Sequence, residues 1–321
     1  MIRRLLTAVV AFGALTAQAP VAEPPAPAPA GPSESELRVR YAVPASRFAE
    51  IDGETVHYAI EGHGPAILLL HGSFASLRQW DQWADRLRKH YTVIRYDQSP
   101  MGLSGPHPKA DYSLEHRYRV IDALADMAGF KRFLLVGTSS AGVPAAAYAA
   151  AHPDRVTGVI LNNIAVGPVK FDMASMPQTL TDALAEDARH PGWHVPEYWR
   201  QILLYNVSDK TVVTPALAEE WTLLNNRVLK VPGAAIAAGR STPTGRTPDD
   251  LPRITAPTLL LWSADDHETR LDREGAKALE LVAAKDKQLV VVERCGHMMP
   301  LDCPVRALDK AMPFIARVAR D

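Results

Sequence analysis

Residues 133–142 read Phe-Leu-Leu-Val-Gly-Thr-Ser-Ser-Ala-Gly, and an alanine-rich stretch, Ala141 to Ala151, follows. The apolar run suits a strand buried on both faces of a sheet, and the alanines suit a helix. A serine at the bend between such a strand and helix is lifted clear of the sheet and faces the helix N-terminus, as a nucleophile elbow requires. The apex residue is held in a strained backbone conformation, so its neighbours two positions away must be small. Two registers satisfy this: Gly137-Thr-Ser139-Ser-Ala141, with Ser139 at the apex, and Thr138-Ser-Ser140-Ala-Gly142, with Ser140 there. Strand length favours Ser139, because the turn should begin directly after Val136. Ala141 then crowds the position where a second glycine is usual, and Gly142 relieves the packing of helix on strand. Serine is a poor nucleophile near neutral pH, so a base has to reach it from elsewhere in the chain.

The elements around this bend alternate. Ala66–Leu70, Tyr91–Tyr96, Phe133–Val136, Val156–Leu161, Thr258–Trp262 and Gln288–Val292 read as strands. Between them, Leu77 to Leu87 repeats at helical spacing, Ser113 opens a helix that Gly129 closes, and Ala141–Ala151 tolerates Pro144 in its first turn. Helices are also expected near Asp272–Ala284 and from Pro304 to Arg317. Such alternation predicts a mostly parallel, doubly wound α/β sheet with helices on both faces. From about 164 to 251 the pattern breaks. Thr179–Ala188, Glu197–Tyr205 and Ala216–Asn225 read as helices with no buried strand among them, which predicts an inserted helical cap over the C-terminal edge of the sheet.

The chain has 321 residues, with 35 Lys plus Arg against 36 Asp plus Glu. That balance argues against nucleic-acid binding through a basic surface. An apolar fraction of 47% with 22% charged residues is that of a globular chain rather than a disordered one. The N-terminus reads differently from the rest. Arg3 and Arg4 precede the apolar run Leu5–Ala14 and the small residues through Ala19, the order of a secretory signal over 1–19. The alternative is an uncleaved anchor that tethers the protein to a membrane. Pro20 to Pro32 holds six prolines in thirteen residues and should be extended and semi-stiff. The resulting division is leader 1–19, Pro/Ala-rich spacer 20–40, and folded domain 41–321. Export to the periplasm or beyond is expected.

With these features the chain resembles the α/β-hydrolase fold superfamily over nearly everything after residue 45. More narrowly it resembles capped bacterial serine esterases and lipases. Arg95-Tyr-Asp97-Gln-Ser-Pro-Met-Gly-Leu-Ser-Gly-Pro106 is similar to their loop after the fourth strand, and His152-Pro-Asp-Arg-Val156 to the segment after the elbow helix. The resemblance implies a chain order of serine, acid, histidine. It makes His297, in Arg294-Cys-Gly-His297-Met-Met-Pro300, the general base. It makes Asp266, three residues past the strand-end position held by Ser263, the acid, with Asp265 as the neighbouring alternative. Acid placement after the preceding strand is excluded, because Asn162 and Asn163 stand there. It gives the oxyanion donors as the Ser140 N–H and, from the loop after His71-Gly72, the Ser73 N–H, with Phe74 next in line. Relatives that open epoxides or remove halogens carry aspartate at the apex, so a serine implies acyl transfer instead. Ester hydrolysis of a small apolar substrate is the leading expectation. Lactone or C–C bond hydrolysis, cofactor-free peroxidation, and a ligand-binding homologue without turnover are the alternatives.

The remaining signals are weaker. No glycine-rich phosphate motif and no metal spacing stand out, so neither a cofactor nor a metal is expected. His190-Pro-Gly-Trp-His194 reads as a cap turn, His267 as structural or solvated, and His57, His63 and His116 show no recognisable partners. The cap aromatics Trp193, Tyr198, Trp199, Tyr205 and Trp221 are expected chiefly to pack the cap's own core, with a minority lining an acyl pocket. Cys295 and Cys303, the only cysteines, bracket His297. They are either a bridge clamping that loop or two separate thiols.

Overall fold

A computed structural model describes residues 28–320 apart from 169–172, 232, 235–236 and 238–243. The expected leader and the first part of the spacer lie outside the described residues. One sheet of eight strands runs in the order β1-β2-β4-β3-β5-β6-β7-β8. The strands are β1 (Ser46–Ile51), β2 (Glu54–Gly62), β3 (Ala66–Leu70), β4 (Thr92–Tyr96), β5 (Phe133–Thr138), β6 (Val156–Asn162), β7 (Thr258–Ser263) and β8 (Lys287–Val292). β1 and β2 form an antiparallel hairpin, β2 is antiparallel to β4, and all other pairs are parallel.

The two-residue period of each inner strand divides its side chains between two cores. Leu68, Leu70, Phe133, Leu135, Leu260 and Trp262 face one side, where α3 (Leu114–Met127) and α4 (Gly142–Ala151) pack. Ile67, Leu69, Leu134, Val136, Leu259 and Leu261 face the other, under α2 (Asp81–Leu87) and the helix Pro304–Val318. Burial on both faces explains why these strands are continuous apolar runs. The hairpin β1–β2 escapes the sequence reading because β1 sits at the sheet edge and only Ile51 of it is buried.

The spacer expected over 20–40 ends early. Residues Glu34–Tyr41 form a helix, α1, capped by Ser33 in a capping box with Glu36. Its two buried residues, Leu37 and Tyr41, lie one turn apart and pack with Leu103 and Leu224. The apolar pair therefore docks this segment, and proline ceases to set its conformation after Pro32.

Between β6 and β7 the described residues form helices only. Three of them, α5 (Gln178–Asp187), α6 (Pro196–Asn206) and α7 (Pro215–Leu229), are long enough to have faces. Trp199, Leu203, Val207, Val213 and Trp221 form a small core there, closed from below by Ala75 and Met298 of the sheet-edge loops. No helix among the described residues is long and apolar enough to cross a membrane.

Cys295 and Cys303 form a disulfide with a Cα–Cα distance of 5.7 Å, so of the two readings the bridge is the one found. Alkylation of the denatured, non-reduced protein should leave its mass unchanged, and alkylation after reduction should add two groups. At Gly142 a Cβ would lie 2.1 Å from Ile164 Cγ2. Gly142→Ala should therefore cost about 1–3 kcal/mol in urea unfolding, through overpacking where the elbow helix meets the β6 end.

Candidate active site

The parallel strands all end on one edge of the sheet, and the loops leaving that edge carry the residues expected to do chemistry. After β5, Ser139 has φ 54° while Thr138 remains extended. The strain falls on Ser139 and not on Ser140, which selects the first of the two registers. Room for the bend comes from below. A Cβ at Gly72 would stand 3.1 Å from Ser139 Cβ.

Three side chains meet at this bend. His297 Nε2 lies 2.8 Å from Ser139 Oγ. His297 Nδ1 lies 2.8 Å from Asp266 Oδ2. With Nδ1–H donating to the carboxylate, Nε2 is left to accept the serine proton. Asp266 is itself fixed by Thr269, whose N–H reaches Oδ1 at 2.9 Å and whose hydroxyl reaches Oδ2 at 2.8 Å. Asp265, the alternative acid, is turned to the cap, where the Ser208 hydroxyl donates to its Oδ2 at 2.8 Å.

Both members of the Asp266–His297 pair are buried. Burial works against the Asp266 charge, but the imidazole and the Thr269 donors outweigh it and hold the carboxyl below its ordinary range. Burial likewise works against a charged His297, and the Asp266 and Glu268 carboxylates outweigh it, so the imidazole is pushed up to about 9.

The loop that carries His297 is held from several directions. Asn163 donates to His297 O at 2.9 Å and to Ser263 Oγ at 2.8 Å, and accepts the Ser263 N–H at 2.8 Å. Asp302 accepts the Gly296 N–H at 2.6 Å. The disulfide closes the turn. Asn163 entered the sequence reading only as a residue unable to serve as the acid. Its part in tying the β7 end to the histidine loop has no local signature.

On the other side of Ser139, the two expected oxyanion donors frame the bend. Ser140 heads the turn that leads into α4. Ser73 follows Gly72, and its N–H meets no acceptor among the described residues, whereas the Phe74 N–H is committed to Met101 Sδ at 3.1 Å. That favours Ser73 over Phe74. The loop is fixed by buried His71, whose Nδ1–H donates to Gly72 O at 2.8 Å and whose Nε2 accepts the Gln98 N–H at 2.8 Å. Burial pushes His71 below the ordinary imidazole range, which suits this neutral tautomer.

A cavity of about 250 Å³ opens beside the bend, between the sheet edge and the cap. Ser73, Ser140, Phe74, Met101, Trp199 and Val228 line its reactive and apolar sides, with Arg117, Gln98 and Asn225 among the polar groups. Of the cap aromatics, Trp199 lines the cavity; it also packs in the cap core, 5.5 Å from Trp221.

Two histidines read as lacking partners have them. His57 Nδ1 lies 2.7 Å from Asp97 Oδ2 and its Nε2 lies 2.7 Å from Ser46 Oγ, a second serine–histidine–aspartate chain. Ser46, however, sits in extended β1, and its Oγ already accepts the Val43 N–H at 2.8 Å. It belongs to the hairpin's packing. His116 lies between Asp52 at 2.6 Å and Glu54 at 3.1 Å. Distance in sequence hid both sets. His190 and His194 contact Glu186 at 3.0 Å and Asp187 at 2.8 Å rather than each other's ligand. The His267 ring lies 5.7 Å from that of Tyr205.

Comparison with known proteins agrees with this architecture. Residues 67–311 match the model of the alpha/beta hydrolase family. A 2-hydroxy-6-oxo-6-phenylhexa-2,4-dienoate hydrolase of Comamonas testosteroni is 27% identical over 269 residues, covering 78% of this chain and 90% of that protein. The solved structure of a serine hydrolase involved in carbazole degradation superposes with a TM-score of 0.69 at 19% identity, over 85% of this chain and 98% of that one. That of a bacterial membrane phospholipase A gives 0.66 at 23% identity, over 88% and 91%.

Fluorophosphonate treatment followed by peptide mapping should find the adduct on Ser139. An adduct on Ser140 would overturn the choice of apex.

Proposed function

This chain belongs to the alpha/beta hydrolase family, and we propose that it is a serine hydrolase that cleaves small apolar carboxylic esters through an acyl-enzyme. The observation that carries this reading is the pair of 2.8 Å contacts that string Ser139, His297 and Asp266 together at a strained bend. In the first half-reaction Ser139 Oγ attacks the ester carbonyl carbon while His297 Nε2 takes the hydroxyl proton. The carbonyl oxygen becomes an oxyanion held by the Ser73 and Ser140 N–H groups, each such donor being worth roughly 3–4 kcal/mol of barrier. Collapse breaks the carbon–oxygen bond, and Nε2–H passes its proton to the departing alcohol. Water then repeats the sequence on the acyl-enzyme, with His297 again the base, and releases the acid.

Substrate size follows from the cavity. At about 250 Å³ it falls below the roughly 300–1,000 Å³ typical of sites for drug-sized ligands, and its apolar side suits a short acyl chain. A second reading is C–C bond hydrolysis of a dienoate, favoured by the similarity to the Comamonas testosteroni enzyme over 78% of this chain and 90% of that protein. Export is part of the proposal. The basic, apolar and small-residue order of the first nineteen residues supports it, and a disulfide beside the base fits an oxidising compartment. Release and retention on an uncleaved leader are both compatible with that order.

The test is a chain-length series of p-nitrophenyl esters. Butyrate should be turned over faster than palmitate, and Ser139→Ala should lose about 10⁴-fold or more in kcat. Ser73→Ala keeps its N–H and should stay within about tenfold of wild type. Unchanged turnover in Ser139→Ala would reject the site. Turnover of a 2-hydroxy-6-oxo-dienoate in the absence of ester turnover would favour the second reading.

A further inference from the structure

The reaction as written employs one carboxylate, yet the base touches two. Glu268 Oε2 lies 3.4 Å from His297 Nε2, the nitrogen that faces Ser139 Oγ at 2.8 Å. Asp266 occupies the opposite nitrogen. Glu268 follows the acid by two residues, and its backbone N–H donates to Asp266 Oδ1 at 2.8 Å. The turn that presents Asp266 therefore presents Glu268 as well. Its side chain is 23% exposed, and among the described residues it meets no other cation. Arg270 is turned to Asp272 at 3.0 and 2.8 Å, and the His267 ring lies by Tyr205. The other groups facing the imidazole are neutral. They are the Ser139 hydroxyl from the elbow and, 3.5 Å from Nδ1, the Thr269 hydroxyl. Among the described residues the cap brings no charged group within hydrogen-bond reach of the ring.

Building on the serine-hydrolase reading above, we propose that Glu268 is a positioning residue that holds the protonated form of His297 from its substrate-facing nitrogen. A neutral ring between two carboxylates leaves two uncompensated negative charges, and a protonated ring leaves one. Proton uptake by the ring is therefore favoured. Two effects follow, and they act at different pH. Below the midpoint of the ring Glu268 adds to the hold that Asp266 has on the proton and so reduces the share of His297 free to act as base. Where the ring starts neutral, the same carboxylate stabilises the imidazolium that forms as Ser139 attacks. The proton still travels from Ser139 Oγ to Nε2 and on to the leaving oxygen, and Glu268 takes none.

The test is the pH dependence of kcat/KM on p-nitrophenyl butyrate, from about pH 5 to about pH 10, for wild type, Glu268→Gln and Glu268→Asp. The rate needs neutral His297, so it rises with pH as the ring loses its proton. Removing the Glu268 charge should move the rising limb about one pH unit toward acid. Well below the limb, the rate relative to each enzyme's plateau then rises about tenfold, while the alkaline plateau itself falls. Glu268→Asp keeps the charge, and its limb should stay nearer that of wild type. A Glu268→Gln profile that is scaled down without moving, as a structural role would give, overturns the proposal, as does a shift toward alkali. Titration of the His297 ring protons by NMR needs no substrate and should show the same displacement. Absence of any ester turnover would reject the ester reading and leave the NMR midpoint to decide the role of Glu268.

Discussion

A hydroxyl and an imidazole 158 residues apart in sequence must approach to 2.8 Å, and this contact constrains the rest of the architecture. Ser139 leaves the end of β5 and His297 the loop after β8, with β6 and β7 between them. At about 4.8 Å per strand the loop has to cross roughly 14 Å. Parallel strands make the crossing feasible, since all of them discharge on the same edge. Direction alone does not hold a turn in place. The disulfide, the Asn163 amide and the Asp302 carboxylate each pin a different point of it.

Much of this was legible in the sequence because its causes are local. The inner strands β3, β5 and β7 are apolar runs because both their faces are covered, and the six strands read from the sequence reappear as β3 to β8, displaced by no more than two residues at any end. The elbow was legible for the same reason, since a strained bend requires small neighbours within a few positions. Backbone strain separates Ser139 from Ser140, and the turn after β7 faces Asp266 rather than Asp265 toward the imidazole. Neither is fixed by spacing alone. Helix α1 was missed because the prolines before it dominate the composition, although Leu37 and Tyr41 already stood one turn apart. The contacts of Glu268 and Asn163 with the histidine loop were not legible, because these partners come together only through the ends of different strands.

The Ser46–His57–Asp97 chain shows how little the three residue types mean by themselves. Its distances match those at Ser139. Yet Asp97 also accepts the Leu77 and Leu103 N–H groups, each at 2.6 Å, and the Ser46 hydroxyl is occupied by Val43. These contacts tie the N-terminal hairpin to the end of β4 and to the segments that follow β3 and β4. At Ser139 the hydroxyl sits at a strained apex beside an open cavity with a backbone donor to spare. The surroundings, and not the trio, set the two chains apart.

The stretch joining α6 to α7 is stitched to the histidine turn through the main chain. The Met298 N–H donates to Asn206 O at 3.1 Å, and Asp302 accepts the Ser208 and Asp209 N–H groups, each at 2.8 Å. This margin of the roof cannot lift without rupturing those bonds or dragging the imidazole off the serine. Guests must therefore be admitted from another quarter, and any swing of the helices overhead has its fulcrum here.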